Sequence, residues 1–215
     1  METDSTPMAE RYPVRQAAQR YLERGWSVIP VPHRSKNPGF KRWEQMRLTY
    51  DELDRHFNGR PQNISVLLGE PSGWLIDVDL DHRRAVELAP QFLPPTALVF
   101  GRPGKPRSHW LFRVTAPLVT KKFSSRSSGM IVEVRSTGTH TVFPPSVHEM
   151  GEPITWDDEQ QLPAEVEPEL LLESAASGRR RAGRTGRKAA GKRAQAARRG
   201  QATSGLLATS AGYPR

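Results

Sequence analysis

The chain has 215 residues, 36% of them apolar, no cysteine, and a formal charge of +9. That length holds one ordinary domain with appendages, and the low apolar fraction predicts that part of it buries little. Without cysteine there is no disulfide framework, thiolate metal site or cysteine nucleophile, so any metal must be held by oxygen or imidazole.

The charge is unevenly placed. Residues 178–215 carry 11 basic and no acidic side chains, which leaves 21 basic against 23 acidic residues in 1–177, a net of −2. The stretch 178–200 also lacks large apolar residues, so it is expected to stay disordered; such arms commonly bind the phosphates of nucleic acid, the alternative being a solvated extension without a partner. No apolar run reaches the roughly 18 residues of a membrane span. The start, METDSTPMAERYP, is polar and acidic where a signal peptide would be basic and then apolar. A cytoplasmic protein with no membrane association is expected.

Residues 1–12 read as a flexible N-terminus. Pro13 to Gly25 predicts an amphipathic helix, with Val14, Ala17, Ala18, Tyr21 and Leu22 on one face. WSVIPVP (26–32) reads as a strand, followed by a basic loop, HRSKNPGFKRW (33–43). Thr49 and Glu52 form a capping box for a short helix ending near Phe57. NISVLLG (63–69) and WLIDVDL (74–80) are strands joined at Glu70-Pro71-Ser72-Gly73, and a helix follows over 82–89. TALVF (96–100) and HWLFRV (109–114) flank the loop GRPGKPRS as a hairpin. MIVEVRS (130–136) and HTVFPP (140–145) predict a second hairpin around Thr137-Gly138. Leu162 to Ser174 predicts a last helix, with Pro163 and Pro168 near its start. These elements divide the chain into 1–12, a catalytic domain over 13–160, a helix within 161–177 and a basic tail over 178–215. The class is α+β with a mainly antiparallel sheet.

Three polar features resist a core assignment. In LIDVDLD, Leu75, Asp77, Asp79 and Asp81 share one strand face, and Ile76, Val78 and Leu80 the other. Carboxylates at alternate positions repel one another unless a cation lies between them, and hard oxygen ligands suit Mg²⁺ or Mn²⁺. Asp77 and Asp79 are expected to face away from the core, so that replacing them leaves the fold intact. A lone Asp-x-Asp is more often an acidic solvent face. In MIVEVRS, Glu133 lies mid-strand among β-branched residues as a third possible metal ligand, with Arg135 on the same face. Arg135 could clamp a phosphate or pair with Glu133, the commoner outcome. His109 enters its strand just after Arg102, Lys105 and Arg107, where an imidazole could donate to a triphosphate. All three sites lie on strands of one inferred sheet, which raises their joint weight.

In this order, AQRYLERGWSVIPV (18–31 with Ala17 before it), Lys36-x-Pro38…Trp43, NISVLLGEPSGWLIDVDLD (63–81), SHWLF (108–112) and VEVRSTGTHTVFPPSVHEMGEPITW (132–156) resemble the N-terminal catalytic domain of bifunctional DNA primase/polymerases, a branch of the archaeo-eukaryotic primase superfamily. The resemblance spans about Ala17 to Trp156. It implies an RRM-like catalytic sheet beside an N-terminal α/β unit. It assigns Asp77, Asp79 and Glu133 as catalytic metal-binding acids for two Mg²⁺ or Mn²⁺ ions. His109 and Arg135 become nucleotide contacts, joined by Lys36, Ser146 and His148. The chain departs from the family pattern at Arg107, two places before the histidine, at Pro103, Lys105 and Pro106 in place of glycines, and at Glu133 where Asp is frequent.

The activity so implied is template-dependent nucleotidyl transfer, a DNA primase/polymerase serving replication of a plasmid, phage or other mobile element. Its partners would be DNA template and primer, dNTP or NTP and, because no Gly-x-x-x-x-Gly-Lys-Ser/Thr loop is present, a separate helicase. Two alternatives differ in kind: a catalytically inactive single-stranded nucleic-acid-binding accessory protein, and a metal-dependent nuclease. Retention of all three acids and the histidine speaks against the first.

Overall fold

In the computed structural model, which describes residues 13–183, α1 (Pro13–Glu23) opens on a proline whose missing N–H costs nothing in a first helical turn. Expectations for residues 1–12 and for 184–215, the greater part of the basic tail, lie outside the described residues. Helix α1 buries Ala17, Ala18 and Tyr21, and Gly25 ends the segment at a positive φ. Strand β1 (Val28–Pro32) pairs antiparallel with β2 (Gln62–Leu67). Between them the capping box forms as expected: Glu52 Oε2 accepts from Thr49 N at 2.9 Å and from Thr49 Oγ1 at 3.0 Å, just ahead of α2 (Leu53–His56). Strand β8 (His140–Phe143) completes a three-stranded sheet on the other side of β2.

The second sheet carries β3 (Leu75–Leu80), β4 (Val99–Arg102), β5 (Lys105–Val114), β6 (Lys121–Ser125), β7 (Gly129–Arg135) and β9 (Thr155–Trp156). Their order is β6-β7-β3-β5-β4-β9, and every pair is antiparallel. Strand β10 (Ala164–Val166) adds in parallel to the end of β5. Helix α3 (Arg83–Leu88) is capped by His82, whose Nδ1 accepts from Arg84 N at 3.1 Å. The last helix, α4, runs over 168–183. The architecture is α+β, and no helix among the described residues is long and apolar enough to cross a membrane.

This large sheet is covered on both faces. Ile76, Val78 and Leu80 pack with Trp110, Phe112, Val132 and Leu171 on one side, beneath α3 and α4. Leu75 and Leu111 join Tyr21, Trp26, Ile64 and Phe143 on the other, between the two sheets and α1. The expectation that Asp77 and Asp79 face away from the core therefore fails. The face they occupy is roofed by the small sheet, and Asp77 is fully buried.

Three further expectations are corrected. Strands β7 and β8 do not form a hairpin: β7 lies between β6 and β3, whereas β8 crosses to β2. The Ser136–Thr139 turn instead nests against the β2–β3 connection, where Glu70 N donates to Thr137 Oγ1 at 3.0 Å. Gly69 is required there, because a Cβ would come within 2.2 Å of Thr137 N. The GRPGKPRS loop is mostly strand, with β4 and β5 reaching Arg102 and Lys105. Finally, the start of the expected last helix is β10, and the helix begins at Pro168 and continues past 177. Ala182 is buried in the core, so residues 178–183 belong to the folded unit rather than to a disordered tail.

Candidate active site

The register of three adjacent strands assembles the site. On β3, Asp79 faces His109 of β5 on one side and Glu133 of β7 on the other, while Asp77 faces Leu111 and Arg135. Directly opposite residues share a sheet face, so both acids, His109, Glu133 and Arg135 project into the space between the two sheets. Beside Asp79, His109, Glu133 and Arg135 that space opens as a cleft of about 400 Å³, within the range of nucleotide-sized pockets. Its other wall is built from β2, β8 and the loop after β1, including Asn63, His140 and Lys36.

Asp77 forms the base. Its carboxylate can only accept, so the His109 Nδ1–H donates to Oδ2 at 2.9 Å, and the Thr141 hydroxyl donates to the same oxygen at 2.7 Å. Phe100 stacks against the His109 ring at 4.5 Å and 10° between planes, holding its orientation. Burial pushes against the charge of Asp77, but the His109 cation and hydrogen bond outweigh it, then Arg135 and Thr141, so the carboxyl sits below its ordinary range. Burial would also lower His109; Asp77 and then Asp79 outweigh it and hold the imidazole above its ordinary value. Asp77 itself does not line the cleft.

The acids nearer the opening are held differently. Arg135 spans them, with Nη2 2.6 Å from Asp79 Oδ2 and Nε 2.8 Å from Glu133 Oε2, and it donates from Nη1 to Thr141 Oγ1 at 3.2 Å. Arg135 is thus committed to acids, the pairing weighed beside a phosphate role. Lys122 Nζ lies 3.4 Å from Glu133, and Lys105 Nζ lies 3.5 Å from Asp79 Oδ1 and 3.0 Å from Asp81 Oδ1. Oxygens of Asp79, Asp81 and Glu133 gather within 4.8 Å of one another. Asp79 is only 4% exposed, yet among the described residues its Oδ1 has no hydrogen-bond partner. Carboxylate oxygens, clustered, with one buried and unbonded, fit a hard divalent cation such as Mg²⁺ or Mn²⁺.

The remaining sequence candidates divide. Lys36 is exposed at the cleft mouth, 4.0 Å from Glu149. His148 lines the cleft; its Nδ1 accepts from Met150 N, and burial, then Arg102 and Lys36, lower its pKa. Ser146 is buried away from the cleft, with its hydroxyl bonded to the backbone N and O of Ile64, where it ties the PPSVH segment to β2. Sequence reasoning did not single out Thr141, Asp81 or Lys105 as site residues. Asp81 shares the parity of Asp77 and Asp79, and Lys105 stands in the basic loop, so both carried a signal. Thr141 carried none, because its partners come from strands 64 and 6 residues away in sequence.

His140 lies on the β8 wall. Its Nδ1 is 3.0 Å from Ser65 Oγ, and its ring meets the edge of Trp43 at 4.6 Å. Burial, then the Arg135 charge, push it down to about 4, so this imidazole is neutral near pH 7.

The sequence model of the family described as bifunctional DNA primase/polymerase, N-terminal, matches residues 18–170. No curated protein matches the chain significantly.

Proposed function

The chain belongs to the bifunctional DNA primase/polymerase N-terminal family, and we propose that it is a template-dependent nucleotidyltransferase acting on a DNA primer and template with dNTP or NTP. The reaction joins a primer 3′-hydroxyl oxygen to the α-phosphorus of the incoming nucleotide and releases pyrophosphate. The observation that carries this reading is the cross-strand set His109–Asp79–Glu133 on the floor of a cleft, with Arg135 beside it and Asp77 buried one pair further along.

Asp79 and Glu133 would hold Mg²⁺ or Mn²⁺, supplying charge that offsets the triphosphate and the attacking oxygen, while the buried Asp77 holds His109 behind them. The chain's own groups supply the rest. With Nδ1 committed to Asp77, His109 has Nε2 left to donate to a phosphate oxygen, and the pKa raised by Asp77 and Asp79 favours the charged donor. Arg135 fixes the spacing of Asp79 and Glu133 and adds positive charge beside them. Lys36 and His148, on the opposite wall, are placed to meet the nucleotide or the template strand.

Incubation with labelled dNTPs or NTPs, Mg²⁺ or Mn²⁺ and a primed template tests the proposal. Template-directed extension is expected. Retention of DNA without incorporation would favour the accessory-protein alternative, and shortening of the primer would favour a nuclease.

A further inference from the structure

The acid cluster contains one carboxylate that the family resemblance does not assign, Asp81, and one ammonium that no catalytic role has absorbed, Lys105. Asp81 stands one residue past the end of β3, and its backbone N donates to Ile131 O at 3.0 Å. That bond prolongs the alternation, so the side chain projects on the same face as Asp79. Lys105 begins β5 directly after the Pro103-Gly104 turn. Its Nζ lies 3.0 Å from Asp81 Oδ1 and 3.5 Å from Asp79 Oδ1.

The distance to Asp79 is the informative one. At 3.5 Å the ammonium supplies charge but no good hydrogen bond, and Asp79 Oδ1 is the buried oxygen left unbonded. A buried acceptor without a partner is costly, and this one points into the gathering of Asp79, Asp81 and Glu133 oxygens. His109, 3.9 Å from Asp79 Oδ1, is held by Asp77, and the three Arg and Lys side chains around the cluster differ in freedom. Arg135 is pinned by Asp79, Glu133 and Thr141 at once. Among the described residues Lys122 pairs only with Glu133, and it is largely exposed. Lys105 alone bridges Asp79 and Asp81, on a flexible four-carbon stem at a turn, so it can leave without moving the sheet.

We propose that Asp81 is a further ligand of the divalent-cation site with Asp79 and Glu133, and that Lys105 is the exchangeable counter-ion of that site, competing with the cation for the Asp79 and Asp81 oxygens. This rests on the metal-dependent reading above. An ammonium and a divalent ion cannot share the same oxygens without strong repulsion, so entry of one requires departure of the other. Lys105 thereby offsets the repulsion among the acids and lowers the apparent cation affinity.

The test is Mn²⁺ binding by the full chain without nucleotide, followed by electron paramagnetic resonance, for the unchanged protein and for Asp79→Asn, Asp81→Asn and Lys105→Met. Circular dichroism checks folding. Asp81→Asn should weaken Mn²⁺ binding about 10-fold or more, and Lys105→Met should strengthen it several-fold. Unchanged affinity in Asp81→Asn, or unchanged or weaker affinity in Lys105→Met, overturns the inference. Asp79→Asn separates the two levels. If it alone abolishes binding, the metal site stands and only the roles of Asp81 and Lys105 fail. If it binds Mn²⁺ as well as the unchanged chain, the metal reading falls too.

Discussion

His109 Nδ1 lies 2.9 Å from Asp77 Oδ2, although the residue directly across the sheet from His109 is Asp79. The imidazole reaches diagonally to the more deeply buried acid, which leaves Asp79 Oδ1 for the cleft. The pair therefore divides the work of two carboxylates on one strand. Asp77 charges and orients the histidine, and Asp79 meets what enters.

This division predicts unequal costs on replacement. Asp77→Ala leaves a buried imidazolium and the Thr141 hydroxyl without their acceptor. Breaking a buried pair in this way costs about 3–5 kcal/mol, which corresponds to a melting temperature lower by on the order of 10 °C. Asp79→Ala also removes an ion pair from Arg135, but Arg135 keeps Glu133 and Thr141 and one repelling acid is gone, so the melting temperature should fall less. Thermal unfolding of the two variants side by side checks the difference.

His109→Gln keeps a polar side chain but loses the charged donor. Triphosphate affinity should fall about 10- to 100-fold, as for loss of a supporting ligand at a metal site, while affinity for primed DNA changes little. Titration of each ligand separately checks this. Equal loss of both would mean that His109 mainly supports the fold.

Two histidines beside the cleft should give opposite slopes of stability with pH. His140 has its folded pKa pushed down to about 4. Between that value and the ordinary value of roughly 6.5, the unfolded chain binds more protons, so its contribution is full above that window and is lost as pH falls through it. His109 is shifted upward, so its contribution is full below the unfolded value and is lost as pH rises through the folded one. His140→Gln should flatten the acid-side decline in unfolding free energy, whereas His109→Gln should flatten the alkaline-side decline. Denaturant unfolding across pH 4–9 reads both.

The strand parity of β3 placed Asp77, Asp79 and Asp81 together because a period of two survives in any sheet. The inference that His109 and Glu133 join them also held, since β3, β5 and β7 are neighbours. Local pattern could not show that the acid face is covered. A strand apolar on one side and acidic on the other reads as half exposed, and only the crossing of β8 to β2 roofs it. The same crossing explains the failed hairpin, because Thr137-Gly138 is a good turn whether its strands pair or part. Ser146 is a site candidate only through the family resemblance of the PPSVH segment, and its hydroxyl serves Ile64.

Composition placed the start of the basic tail at 178, and the structure extends the folded unit at least to residue 183. Gly178 packs so closely on Phe92 that a Cβ would lie within 2.3 Å of its ring, and Ala182 joins the core. A chain ending at residue 177 should therefore melt several degrees below one ending at residue 183. Equal melting temperatures would show that the last turns of α4 add nothing.

The central claim is that the cleft floored by Asp79, His109 and Glu133 joins nucleotides under the direction of a template. Its most direct test is incorporation of a single labelled nucleotide opposite a defined template base, comparing the unchanged chain with Asp79→Asn at equal folded concentration. The account predicts base-directed incorporation by the former and a loss of at least about 100-fold in the latter, on the scale of losing one key transition-state contact. Incorporation at an undiminished rate by Asp79→Asn would contradict it.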